Sequence, residues 1–226
     1  MSAWKFAALA VFTPAVSLAE EPAAESGIDV TSAAPAPEPP VARTERVHDG
    51  FYLRVGLGTG ALGISIDDDV LDSTLESSGM DLALDLRIAG TPSPGLVIGG
   101  ALFAHALPSA KLESNGRDTG LDPSIGVGLL GPFIEGFPDP RGGFYLGGSI
   151  GLARVQYSEL GPASERRESS GFGGAAWLGY DIWVADQWSL GPSLRLTSTI
   201  TRDTADGADL TTTTRGLTLT LSGLYH

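Results

Sequence analysis

Six charged residues stand inside runs that otherwise alternate apolar and small residues: Arg54, Asp81, Asp85, Arg87, Asp181 and Arg195. Residues 79–89 show the pattern most cleanly. Met80, Leu82, Leu84, Leu86 and Ile88 hold one parity, and Asp81, Ala83, Asp85, Arg87 and Ala89 hold the other. A strand sends successive side chains to opposite faces, so this run has an apolar face and a charged one. A strand buried in a parallel sheet is apolar on both faces, and charge at nearly every second place excludes it. Arginines and aspartates gathered on an enclosed face must pair, because an unpaired buried charge is costly. The chemistry open to them is an internal salt-bridge network, or in a functional version a gated path for protons or ions.

The remaining acidic residues read differently. Asp67, Asp68, Asp69, Asp72 and Glu76 crowd one loop, and Asp203, Asp206 and Asp209 flank Gly207 in another. Clustered carboxylates suit Ca²⁺ or Mg²⁺, but Leu71 and Asp72 stand where an EF-hand needs a ligand and a glycine. Both read as solvated acidic loops, so neither a metal nor a cofactor is expected. A formal charge of −13 also removes the electrostatic footprint of a nucleic-acid binder.

These residues need elements to hold them, and alternation supplies eight: 51–66, 79–89, 96–107, 122–137, 144–158, 171–184, 188–201 and 211–226. In the first, Phe51, Leu53, Val55 and Leu57 oppose Tyr52, Arg54, Gly56, Gly58 and Gly60. In the last, Leu217, Leu219, Leu221 and Tyr225 oppose Gly216, Thr218, Thr220 and Ser222. The fourth is less regular, and Pro132 marks a bulge or an end there. Three connections are short and turn-like: Thr91-Pro92-Ser93-Pro94, Pro138-Asp139-Pro140-Arg141-Gly142 and Ala185-Asp186-Gln187. The alternate connections, at 67–78, 108–121, 159–170 and 202–210, are longer and more polar. Short turns at one end and long loops at the other are the pattern of a closed transmembrane barrel, and a soluble meander has no reason to sort its loops. A soluble barrel with an apolar ligand inside is opposed by Arg54, Asp85, Arg87 and Asp181 at the inner parity.

Phe51, Phe137, Phe144, Trp188 and Tyr225 fall near the short-turn end and are expected to form an interfacial aromatic girdle. Upstream, residues 1–19 have the layout of a signal peptide: Lys5, an apolar run over 6–18, and Ser17-Leu18-Ala19 before Glu20. That run is shorter than the ~20 apolar residues of a membrane-spanning helix. Residues 20–47, rich in Ala, Pro and Glu, cannot bury a core and are expected to be a disordered linker.

With these residues in view, the chain resembles the small eight-stranded outer-membrane barrels of Gram-negative bacteria, the OmpA- and OmpX-like family, over 48–226. The resemblance rests on strand number, loop sorting and alternation. It rests also on the glycine-bearing first and fifth strands (Phe51-Tyr52-Leu53-Arg54-Val55-Gly56 and Phe144-Tyr145-Leu146-Gly147-Gly148) and on the aromatic near the end of the last strand. It implies an all-β, eight-stranded, antiparallel up-and-down transmembrane barrel, in which the last strand closes on the first and the lumen is filled by side chains. It further implies a monomer in the outer membrane, with outer-membrane lipids, lipopolysaccharide and the barrel-assembly machinery as partners and no nucleic acid. The expected role is structural and surface-presenting, without catalysis. The alternatives are a narrow pore, or a lipid hydrolase or acyltransferase using His105 with Ser109, Asp118 and Asp122 nearby in sequence; a base and a nucleophile in mutual reach is what that chemistry needs.

Overall fold

A computed structural model describes residues 46–48, 50–68, 73–108, 110–114, 117–118, 123–158, 166–205 and 208–226. The expected signal peptide and linker lie outside the described residues, as do the side chains of Asp67, Asp68, Asp69, Asp72, Asp206 and Asp209. In chain order the strands are β1 (Gly50–Asp68), β2 (Ser73–Ser93), β3 (Leu96–Leu107), β4 (Lys111–Ser114), β5 (Arg117–Asp118), β6 (Ser124–Gly136), β7 (Phe144–Ser158), β8 (Arg166–Tyr180), β9 (Ile182–Trp183), β10 (Trp188–Ala205) and β11 (Ala208–Tyr225). Eight of them are staves of one antiparallel sheet in the order β1-β11-β10-β8-β7-β6-β3-β2, closed by pairing of β2 with β1. The seam runs from Leu53↔Tyr225 to Asp68↔Leu210. Closure leaves no unpaired edge, which is what lets strands cross a bilayer. Among the described residues no helix is long and apolar enough to cross a membrane.

Burial follows parity. Leu57, Met80, Ile150 and Phe172 point outward and are 68%, 74%, 74% and 73% exposed, while Arg54, Arg87 and Arg195 point inward and are at most 1% exposed. A continuous apolar outer surface of this extent has no place in water. It is the required outer face of a barrel in lipid.

Two expectations about the connections are corrected. The segments 67–78 and 202–210 are largely strand, since β1 and β2 pair out to Asp68↔Ser73 and β10 and β11 out to Ala205↔Ala208. Backbone pairing continues past the alternating zone because hydrogen bonds between staves do not depend on side-chain pattern. The 108–121 connection carries the small hairpin β4–β5, with β4 added beside β2.

At the short-turn end the chain doubles back tightly. Gly95 has φ +78°, and a Cβ there would lie 2.7 Å from the Phe137 carbonyl oxygen, so glycine is required. Its N–H donates to the His48 carbonyl at 3.1 Å, and its own carbonyl accepts from the Phe137 N–H at 2.7 Å.

Candidate functional site: the lumenal charge network

Inward parity brings Arg54, Asp81, Asp85, Arg87, Asp181 and Arg195 into one buried cluster. Arg54 makes a two-pronged contact with Asp181, Nη1 to Oδ1 at 3.0 Å and Nη2 to Oδ2 at 2.5 Å. It also donates to the hydroxyls of Tyr52, Tyr145 and Ser222 at 2.6, 2.8 and 2.9 Å. Arg87 grips Asp85 through Nε and Nη2 at 3.0 and 2.8 Å. Its Nη1 reaches Glu135. Arg195 donates to Asp85 at 3.2 Å.

Glu135, 1% exposed on β6, is the centre of the cluster. It accepts from Tyr52 Oη at 2.7 Å, from Trp177 Nε1 at 2.6 Å and from Arg87. Three guanidiniums also lie over aromatic faces, Arg54 4.2 Å from the Tyr145 centroid, Arg87 4.6 Å from that of Trp177 and Arg195 4.4 Å from that of Phe103. His105 Nδ1 lies 2.5 Å from Asp81 Oδ2, and its Nε2 lies 3.4 Å from Arg195 Nη2. A guanidinium can only donate, so Nε2 accepts, and the imidazole is neutral with its proton on Nδ1 toward Asp81.

Followed bond by bond, the network draws a member from every stave: Tyr52 and Arg54 on β1, three residues of β2, His105 on β3, Glu135 on β6, Tyr145 on β7, Trp177 on β8, Arg195 on β10 and Ser222 on β11. Asp181 joins from the break between β8 and β9, where its N–H donates to the Gly143 carbonyl at 2.8 Å. Alternation alone does not single out Glu135, the donors Tyr52 and Trp177, the acceptor Tyr145 or His105 as members of the network. The signal for Glu135 was a lone carboxylate in the apolar run Pro132-Phe133-Ile134-Glu135-Gly136-Phe137.

Of the residues expected in a girdle, Phe51, Phe144 and Trp188 are exposed on the outer face at the short-turn end, and Tyr225 is half-buried beside them. Tyr225 packs between Trp188 and Phe51, with ring centroids at 5.1 and 6.4 Å. Phe137 is a correction: it is 4% exposed and points inward, stacked on His48 at 3.7 Å between centroids and 17° between planes. On β6 the odd positions face the lumen, and Phe137, the residue after its end, keeps that parity, so it goes inside with Phe133 and Glu135.

His48 is a peg in the short-turn mouth. Its N–H donates to the Pro140 carbonyl at 2.9 Å, and its Nε2 lies 3.0 Å from the Gly142 carbonyl. The rings of Trp183 and His226 close around it at 4.8 and 4.6 Å. Burial pushes the His48 imidazole down to about 4 and that of His226 to about 3, with the charges of Arg54 and of the neighbouring imidazole adding to the effect on His226.

The filled lumen is corrected in its middle portion. A cavity of about 1060 Å³ touches β1, β2, β7, β8, β10 and β11, and only the concave inside of a closed barrel meets so many staves at once. It opens where the inward residues Gly79, Gly216, Ala175 and Ser149 are small. Beyond it an apolar cluster of Leu62, Ile64, Leu107, Ile125, Val127 and Val155 packs across the lumen.

No protein-family model matches the sequence, and no curated protein matches it. Solved structures do. The outer membrane protein OprG of Pseudomonas aeruginosa aligns with a TM-score of 0.51 at 11% identity, over 80% of this chain and 99% of that one. Neisserial surface protein A aligns with a TM-score of 0.44 at 15% identity, over 78% of this chain and 96% of that one. The first likeness shows the fold: a small eight-stranded β-barrel of the outer-membrane type.

Proposed function

We propose that this chain is an outer-membrane barrel of a Gram-negative bacterium whose lumen is locked by ion pairs, and that it acts as a membrane-structural protein presenting its outer hairpins. The observation that carries the reading is the single bonded network reaching all eight staves. Paired, desolvated charges that tie every stave to the others favour rigidity over passage, since any conducting route must break charge-assisted bonds. The His48 peg across one mouth supports the same view. Its partners on this reading are the surrounding lipids, lipopolysaccharide and the barrel-assembly machinery, and it works as a monomer.

The catalytic alternative has less support. His105 faces the lumen at 3% exposure, and its one acceptor nitrogen is already engaged by Arg195. Ser109 and the side chains of Asp118 and Asp122 lie outside the described residues. The reading is tested by membrane fractionation with heated and unheated electrophoresis, followed by planar-bilayer recording. Outer-membrane recovery, a heat-dependent mobility shift and flat current traces are expected. A soluble protein without the shift overturns the barrel, and steady conductance overturns the lock.

A further inference from the structure

The outer surface is uneven in charge. Arg154 on β7, Arg202 on β10 and Arg215 on β11 all point outward and are exposed, in a chain whose formal charge is −13. Arg154 directly follows the outward apolar series Phe144, Leu146, Ile150 and Leu152. Arg215 directly follows Tyr225, Leu221, Leu219 and Leu217 when β11 is read from its end. Each lies ten residues from its girdle aromatic, Phe144 or Tyr225, and a strand crosses the hydrocarbon in about 9–11 residues. Both arginines therefore stand where the far side of the acyl layer gives way to headgroups.

Register places the third. Arg154 pairs with Ser170 and Ser170 with Arg202, so Arg154 and Arg202 share one row two staves apart. Arg215 pairs with Ser198, four residues below Arg202 on β10. With staves ~4.8 Å apart and ~3.3 Å per residue along a strand, three staves and the four-residue offset put Arg154 and Arg215 roughly 20 Å apart across the surface. Outward hydroxyls of Ser170 and Ser198 lie between them. Glu168 engages Arg154, whereas Arg202 and Arg215 have no acidic partner among the described residues. Among the described side chains, the outward faces of β1, β2, β3 and β6 carry no cation at this height and one carboxylate, Glu76.

Resting on the outer-membrane reading above, we infer that Arg154, Arg202 and Arg215 form a one-sided binding surface for a glycolipid headgroup bearing more than one phosphate. Guanidiniums bind phosphate in a fork geometry, and the serine hydroxyls between them suit sugar hydroxyls. The span of the three is wider than a single phosphodiester headgroup uses.

The test uses the full chain folded in an uncharged detergent, with retained lipid read by native mass spectrometry. The probes are diphosphorylated lipid A, its dephosphorylated form, phosphatidylglycerol and inorganic phosphate. Diphosphorylated lipid A should be retained, and the R154Q/R202Q/R215Q variant should weaken it by at least about ten-fold. Glu76→Gln, on the bare side, should leave it unchanged. Equal retention by the triple variant overturns the inference, as does equal retention of the dephosphorylated lipid or of phosphatidylglycerol. Displacement by inorganic phosphate at matched concentration reduces the surface to an adventitious ion only. The heat-dependent shift, measured on each variant, separates this from failure of the barrel itself: a shift retained with lipid affinity unchanged sinks this inference alone. If the triple variant does not fold, R202Q and R215Q are read singly.

Discussion

Arg54 and Asp181 stand 127 positions apart in the chain and meet as a two-pronged pair inside the barrel, both side chains at 0% exposure. Arg54 belongs to the first stave and Asp181 to the break after β8, so the pair ties across the lumen two parts of the wall that do not pair directly. Removing the guanidinium leaves Asp181 without its counter-charge and takes from Tyr145 and Ser222 the donor that each accepts from. Arg54→Ala should therefore cost about 3–5 kcal/mol, read by urea unfolding of the barrel in lipid vesicles. Arg54→Lys should recover only part of the loss, because an ammonium cannot reproduce the fork. Full recovery by lysine would show that charge alone matters.

Glu135 accepts from three donors on three different staves. Glu135→Gln keeps the shape but turns an amide toward donors and leaves Arg87 with Asp85 alone. The expected loss is about 2–4 kcal/mol. A double-mutant cycle with Arg87→Gln should give a coupling of at least about 1 kcal/mol. Additive single effects would mean that the contact does not bind the two staves together.

The staves and most of the inner charges were legible because lipid outside and a polar lumen inside impose opposite demands on neighbouring residues. Asp81, Asp85 and Arg87 read directly from that alternation. Glu135 stood out only as a lone carboxylate, since Phe133 on β6 and Phe137 just beyond it hold the inner parity and Leu130 and Ile134 the outer, leaving no alternation to read. Tyr52, Tyr145 and Trp177 were visible as aromatics, but nothing local shows that their polar atoms close a network with residues more than 40 positions away. The His48 peg was equally hidden, because its partners are turn carbonyls that leave no pattern in the chain.

The inward placement of Phe137 separates it from the rest of the girdle. It stacks on His48 and meets Tyr145 at 5.5 Å, whereas Phe144 faces outward at 46% exposure. Phe137→Ala should cost about 3–5 kcal/mol, as for an aromatic removed from a packed core. Phe144→Ala should cost clearly less. Equal losses, measured side by side in vesicles, would return Phe137 to the girdle.

The peg makes the mouth sensitive to acid, and the sign follows from burial. His48 and His226 have pKa values pushed from 6.5 to about 4 and about 3 in the folded protein. Between the unfolded and folded values the released imidazole binds a proton that the seated one refuses. The seal is therefore strongest above pH 6.5 and weakens as pH falls toward 4. The groups facing His48 do not reverse this: the hydrogen bond with the Gly142 carbonyl and the charge of Asp139 oppose the shift, Arg54 reinforces it, and burial outweighs them. Trp183 packs on both imidazoles, at 4.8 and 4.5 Å, and reports their departure. Acrylamide quenching of its fluorescence should rise as pH is lowered from 7 to 4 while the electrophoretic barrel shift persists. In a His48→Leu/His226→Leu protein the quenching should be flat over that range. A pH-dependent rise surviving in the double variant would assign the acid response to another group.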